Sequence, residues 1–174
     1  PNVPLGSVTV TDDNGGITYQ YSADGGNIWA DDLPVSGAGE AKAGTYQVRM
    51  SYEGDAYTGT KTASFTVAPK AVILGVGTLA ASKVYDGDTI ATLTGAPALT
   101  GALEHDAVTA GGGTGVYATA DAGTGIAVTI TGVTLNGNDA GNYTTTGTVP
   151  GLTGTITPAD GKTYSSYADA LDAL

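Results

Sequence analysis

Apolar and polar residues alternate with a period of two along much of the chain. Ile17, Tyr19 and Tyr21 share one face, and Thr18, Gln20 and Ser22 share the other. Tyr46, Val48, Met50 and Tyr52 oppose Thr45, Gln47, Arg49 and Ser51. Ala63, Phe65 and Val67 oppose Thr62, Ser64 and Thr66, and Ile126, Val128 and Ile130 oppose Ala127, Thr129 and Thr131. A two-residue period with one polar face predicts half-buried antiparallel strands. Turn signals roughly every ten residues predict a sandwich or an open barrel. A one-residue slip would turn each apolar set into water, so the pattern itself specifies register.

Two predicted strands end at a proline, in Phe65-Thr66-Val67-Ala68-Pro69-Lys70 and in Gly154-Thr155-Ile156-Thr157-Pro158-Ala159. Proline has no N–H to give a ladder, so each reads as a joint between modules. Ala43-Gly44-Thr45 and Ala122-Gly123-Thr124 each precede a long alternating strand. Each strand is followed by a polar turn carrying a Tyr, Glu53-Gly54-Asp55-Ala56-Tyr57 and Asn138-Asp139-Ala140-Gly141-Asn142-Tyr143. This weak internal repetition places modules at residues 1–69 and 70–158. In residues 159–174, Tyr164, Tyr167, Leu171 and Leu174 have helical spacing, with Thr163 or Ser165 as N-cap. That tail reads as a linker and the truncated start of a further, helical segment. An opening at Pro1 and an end inside an apolar pattern read as part of a longer protein. The expected fold is all-β, as two tandem antiparallel Ig-like β-sandwich modules. A β-grasp arrangement is the alternative for residues 70–158, disfavoured because no long helical pattern lies there.

Composition narrows the function. With 28 Gly and ten Tyr but only 13% charged residues, short strands and tight turns are favoured over helices. A hydrophobic fraction of 41% supports a packed core. The net charge of −11 and a single arginine, Arg49, argue against nucleic acid and anionic membrane as partners. The longest apolar run, Ala71 to Ala81, is too short and Gly-rich to insert in a bilayer. The chain has no cysteine, so no disulfide supports it. Diffuse acidity suits solubility or divalent cations.

Ser22-Ala23-Asp24-Gly25-Gly26-Asn27-Ile28-Trp29 fits S-x-D-x-G-x-x-W, which resembles the Asp-box of sialidases and other β-propeller proteins. There the Asp and Ser hold a hairpin turn and the Trp packs, so the motif implies structure. The alternative is that Trp29 is exposed and stacks on a sugar ring. A second turn, Tyr85-Asp86-Gly87-Asp88, offers Asp86 for an Asx-turn, Gly87 for positive φ and Tyr85 for packing. Asn136, Asn138, Asp139 and Asn142 form another oxygen-rich loop. Asp86, Asp88, Asn138 and Asp139 are the calcium candidates, although hard cations want six to eight oxygens and neither loop has them alone. No other cofactor is expected. His105 stands alone between Glu104 and Asp106, without the partners of a catalytic triad or a zinc site. Asp12, Asp13, Asp31 and Asp32 are the acids available for glycoside hydrolysis, and they read better as turn formers. No constellation calls for an enzyme. Asn142-Tyr143-Thr144 is a glycosylation sequon expected to be idle, and a cross-link from Lys61 or Lys83 to Asn142 would require burial beside a carboxylate.

Lys83-Val84-Tyr85-Asp86-Gly87-Asp88-Thr89 and Leu135-Asn136-Gly137-Asn138-Asp139-Ala140-Gly141-Asn142-Tyr143 resemble the two signatures of the YDG-type, MBG-like repeat of bacterial surface adhesins. The resemblance covers about residues 83–158. Between the signatures, Gly101, Asp106, Val108 and the turn Ala122-Gly123-Thr124-Gly125 fit more loosely. The chain departs at Asp121 and Ala122, where the family usually carries Lys or Asn. Gly44-Thr45-Tyr46-Gln47-Val48 resembles a strand common in bacterial Ig-like repeats. The resemblance implies a secreted or surface protein built of many repeats, with neighbouring repeats as partners and no catalytic residues. It implies a stalk or spacer, monomeric by itself. A module binding glycan or a host surface protein is the alternative.

Overall fold

The structure is a computed structural model that describes residues 16–55 and 58–159. The expected helix at 163–174, together with Asp12, Asp13 and Tyr57, lies outside those residues. The described residues are all-β apart from one 3₁₀ turn, and none of their helices is long and apolar enough to cross a membrane. The chain divides into two compact units. One takes the described residues of Pro1–Val35 and Ala41–Ala68, and the other takes Ser36–Glu40 and those of Pro69–Leu174.

In the first unit, β1 (Gly16–Ser22), β2 (Gly44–Glu53) and β3 (Thr58–Val67) form an antiparallel meander in that order. The register sets Tyr21 opposite Val48 and Val48 opposite Ala63, with Tyr46 opposite Phe65, so the alternating apolar sets fall on one face. Tyr46 and Val48 are buried. The Tyr46 ring stacks on Phe65 with centroids 5.6 Å apart, and Tyr21 meets Phe65 edge-on at 6.4 Å. Such pairs add about 0.5–1.5 kcal/mol beyond area burial. The Tyr46 hydroxyl donates to the Lys42 carbonyl at 2.8 Å. The apolar face opens toward the start of β1, where Ile17 and Tyr19 are 40% and 43% exposed. Among the described residues this unit has one three-stranded sheet.

The second unit contains β4 (Lys70–Ala71), β5 (Ile73–Gly75), β6 (Ala80–Val84), β7 (Ile90–Ala91), β8 (Leu93–Thr94), β9 (Ala98–Thr100), β10 (Thr109–Tyr117) and β11 (Gly123–Asn136). The 3₁₀ turn Ala140–Asn142, β12 (Tyr143–Thr144) and β13 (Val149–Thr157) complete it. Its main sheet runs β7-β10-β11-β13-β6-β8. The two edge strands, β7 and β8, are separated in sequence by Thr92 alone. One short stretch therefore serves both edges, and the sheet rolls until it is nearly closed, which removes most of its open edge. Leu74, Leu79, Tyr117, Val128, Ile130, Val133, Val149, Leu152 and Ile156 fill the interior. Burying a side chain such as Ile130 contributes about 1.5–3 kcal/mol. Gly154 lets the Tyr117 ring lie against β13, since a Cβ there would stand 2.8 Å from the ring.

Two pairings depart from the antiparallel expectation. β13 runs parallel to β6, and β12 parallel to β4. In each pair an early strand and a late strand of the unit run side by side in the same direction, which requires the long crossover supplied by the strands between them. The main sheet is mixed and nearly closed, and no α-helix packs on it among the described residues. β3 ends at Val67, two residues before Pro69, and β13 at Thr157, next to Pro158.

Candidate functional site

The turn between β6 and β7 is organised by a lysine. Lys83 pairs in register with buried Ile156, so its stem runs along the inner face and its side chain is only 7% exposed. The ammonium surfaces at the end of the sheet. There Nζ lies 2.5 Å from Asp86 Oδ1 and 2.6 Å from Asp88 Oδ1, and it also donates to the carbonyls of Asp88 and Ile90. The same carboxylate oxygens accept backbone N–H groups, Asp86 from Asp88 at 3.1 Å and Asp88 from Ile90 at 2.8 Å. Gly87 has the φ of +86° that the Asx-turn needs. Burial pulls the Lys83 ammonium toward its neutral form, but hydrogen bonds and charge from Asp86 and Asp88 outweigh this and hold its pKa above the ordinary value. The Lys83 ammonium, ahead of the turn N–H groups, holds both carboxyls below the usual range. Tyr85, expected to pack, is 45% exposed. Its N–H continues the pairing by donating to Thr157 O at 2.8 Å, while its ring turns outward.

The second signature closes a different part of the unit. The Tyr143 hydroxyl donates to Asp106 Oδ2 at 2.5 Å and accepts the Leu103 N–H at 3.0 Å. Asp139 is buried, and its Oδ2 accepts the Ala107 N–H at 2.9 Å while its own N–H donates to Ala107 O. Asp106 Oδ1 accepts the N–H of Ala38, from the Ser36–Glu40 piece of the same unit. Gly137 makes the close approach possible: its φ is +115°, and a Cβ would stand 2.2 Å from Ala107 O. Burial first, then the Asp106 carboxylate, pushes the Tyr143 phenol pKa up.

In the first unit the Ser22–Trp29 turn follows the Asp-box reading. Ser22 is buried, its Oγ donating to Asp24 Oδ1 at 2.7 Å and accepting the Gly26 N–H at 2.9 Å. Asp24 Oδ1 accepts the N–H groups of Asn27 and Ile28, both at 3.0 Å. The Ile28 N–H, then the Ser22 hydroxyl, hold the Asp24 carboxyl below its ordinary range. Half-buried Trp29 donates from Nε1 to Gly26 O at 3.0 Å. The Arg49 guanidinium lies 4.4 Å from its ring centroid and donates to Gln20, a cation–π contact that occupies a face a sugar would need. A cleft of about 400 Å³ opens beside the turn, lined by Tyr21, Ile28, Leu33 and Tyr46 with Asp24 and Asp32 at its polar side.

The structure assigns the remaining sequence candidates as follows. Asp86 and Asp88 face Lys83, Asp139 faces the Ala107 N–H, and Asn138 is exposed. Among the described residues no three His, Cys, Asp or Glu side chains gather in a way that could hold a metal. Asp31 accepts from Gln20, and Asp32 lines the cleft. His105 is exposed in the left-handed region with φ +73°. Lys61 is exposed, Lys83 is engaged by the two aspartates, and Asn142 lies beside Asp139 at 3.5 Å. Sequence reasoning had no chemical role for Asp106 and missed Lys83 as the centre of its own turn. The signal for Lys83 was present: a lysine three and five residues before two aspartates across a glycine turn.

This geometry defines a class of all-β module whose signature residues stitch distant turns to the backbone. Residues 68–151, just under half of the chain, match the family model described as the YDG domain. The match starts earlier than the signatures alone indicate and takes in β4 and β5, which pair with β12 and β9. No curated protein and no solved structure matches the chain.

Proposed function

We propose that the chain is a non-catalytic pair of β modules from a secreted or surface-exposed bacterial adhesin-like protein, where it spaces a binding region from the cell. The single observation that carries this reading is the use of the signature side chains. Lys83, Asp86, Asp88, Asp106, Asp139 and Tyr143 direct their polar groups at one another and at their own backbone. Residues used this way hold a fold under load instead of presenting donors to a substrate. The acidic, Gly- and Thr-rich surface suits a soluble rod. Neighbouring repeats are its partners, and it needs no cofactor.

A second reading, a glycan- or host-matrix-binding module, rests on the cleft beside the Asp-box turn. A glycan and host-matrix array, run with and without calcium, separates the two. Silence across the array from a monomeric, cooperatively folding sample supports the spacer. Reproducible binding to one ligand class that is lost on Trp29→Ala or Tyr21→Ala overturns it.

A further inference from the structure

Four oxygens converge on Lys83 Nζ: Asp86 Oδ1 at 2.5 Å, Asp88 Oδ1 at 2.6 Å, Asp88 O at 3.0 Å and Ile90 O at 3.2 Å. An ammonium has three protons. Four acceptors around it are an arrangement set by charge, as around a bound cation, and not by one-to-one hydrogen bonding. Two carboxylates and two carbonyls are also the ligand types that loops offer to calcium. The cage has a structural task, because it ties the end of β6 to the start of β7, where the main sheet comes nearest to closing.

We infer that Lys83 is the resident cation of this turn, a tethered ammonium that does the work a bound calcium ion does in calcium-binding loops, so that the sheet closes without a metal. A point charge on a flexible stem suits four converging oxygens, whereas the planar fork of arginine does not. The cage leads directly into Ile90–Ala91, and losing the ammonium would leave two carboxylates converging on two carbonyls with nothing between them. A calcium ion completed by water then becomes a suitable occupant of the vacated cage. The inference holds whether the module spaces or binds, so it and the ligand array fail independently.

The test is thermal unfolding of the full chain in EDTA and in millimolar calcium. Wild type is expected to melt at the same temperature in both. Lys83→Met should melt several degrees lower in EDTA and regain part of the loss in calcium, and Lys83→Met combined with Asp88→Asn should regain nothing. Lys83→Arg should also melt below wild type although it keeps the charge. A calcium-dependent rise in wild type that Asp88→Asn removes would overturn the inference. So would a Lys83→Met protein that melts like wild type, or one that calcium leaves unchanged. Should Lys83→Met fail to fold, the Lys83 ammonium proton signal in wild type decides. A caged ammonium exchanges slowly and gives a resolved resonance that Asp88→Asn abolishes, whereas exchange as fast as that of Lys61 rejects the cage.

Discussion

Tyr143 donates its phenolic proton to Asp106 Oδ2 across 2.5 Å and thirty-seven positions of sequence. The same phenol oxygen accepts the Leu103 N–H, so one side chain holds two points, Leu103 and Asp106, within the loop between β9 and β10. The motif residue acts as a strut, and its loss should register as stability.

Tyr143→Phe removes the acceptor for Leu103 N–H and the donor to Asp106 while keeping the buried ring. Leaving the half-buried Leu103 N–H without its acceptor costs about 1–3 kcal/mol, while Asp106 keeps the Ala38 N–H. The urea midpoint should fall by a corresponding amount with the m-value unchanged, because the surface exposed on unfolding is the same.

Gly137→Ala and Gly125→Ala make a matched pair, since both glycines have positive φ but only Gly137 is crowded. At Gly125 an added Cβ meets nothing, so the expected cost is the left-handed penalty of about 1–2 kcal/mol. At Gly137 the Cβ would stand 2.2 Å from Ala107 O, and the backbone must move. Gly137→Ala should be the more destabilising of the two by chemical denaturation. In amide exchange its loss of protection should centre on the Ala107 N–H.

The Asp-box turn predicts a local effect in the first unit. Ser22→Ala removes a buried acceptor for the Gly26 N–H and a donor to Asp24. The expected cost is about 1–2 kcal/mol. Trp29 is the chain's single tryptophan and is tied to Gly26 O, so its emission should report the change. The same protein should show increased acrylamide quenching.

Stability should fall at both ends of the pH scale. Asp86 and Asp88, held below 3.8 chiefly by the Lys83 hydrogen bonds, and Asp24, held below it chiefly by the Ile28 N–H, protonate later in the fold than in the unfolded chain. Their contribution is complete above about pH 4 and is lost as pH falls through the lower folded values. Lys83 is held above 10.5 because Asp86 and Asp88 outweigh burial, and burial holds Tyr117 and Tyr143 above 10.0. The unfolded chain releases these protons first, so stability is complete below about pH 10 and falls as pH rises through the higher folded values. Urea midpoints across the pH range check both limbs. Asp86→Asn with Asp88→Asn should flatten the acid limb and lower the plateau.

Local pattern made part of the molecule legible. The apolar faces of β2, β3 and β11 follow the two-residue period because a strand's side chains alternate whatever its partner. The Asp-box turn was readable because every hydrogen bond in it lies within four residues. The Asp86 turn was half readable: its Asx hydrogen bond and the φ of Gly87 are local, whereas the buried stem of Lys83 depends on Ile156 across the sheet. Tyr85 misled because alternation inside β6 does not say where pairing stops and a ring turns outward.

Residue order alone was enough to show that the described residues are all-β, which side of each long strand is apolar, where two strands stop and which turns carry the signatures. Those properties depend on backbone geometry and on neighbours within a few residues. That β13 lies parallel to β6, that β7 and β8 bring the two edges of one sheet together, and that Tyr143 meets Asp106 came from the folded chain alone. Each of these contacts joins residues far apart in the chain. Their partners are selected by closure of the whole sheet around a shared core, a constraint that leaves no periodic trace in any one segment.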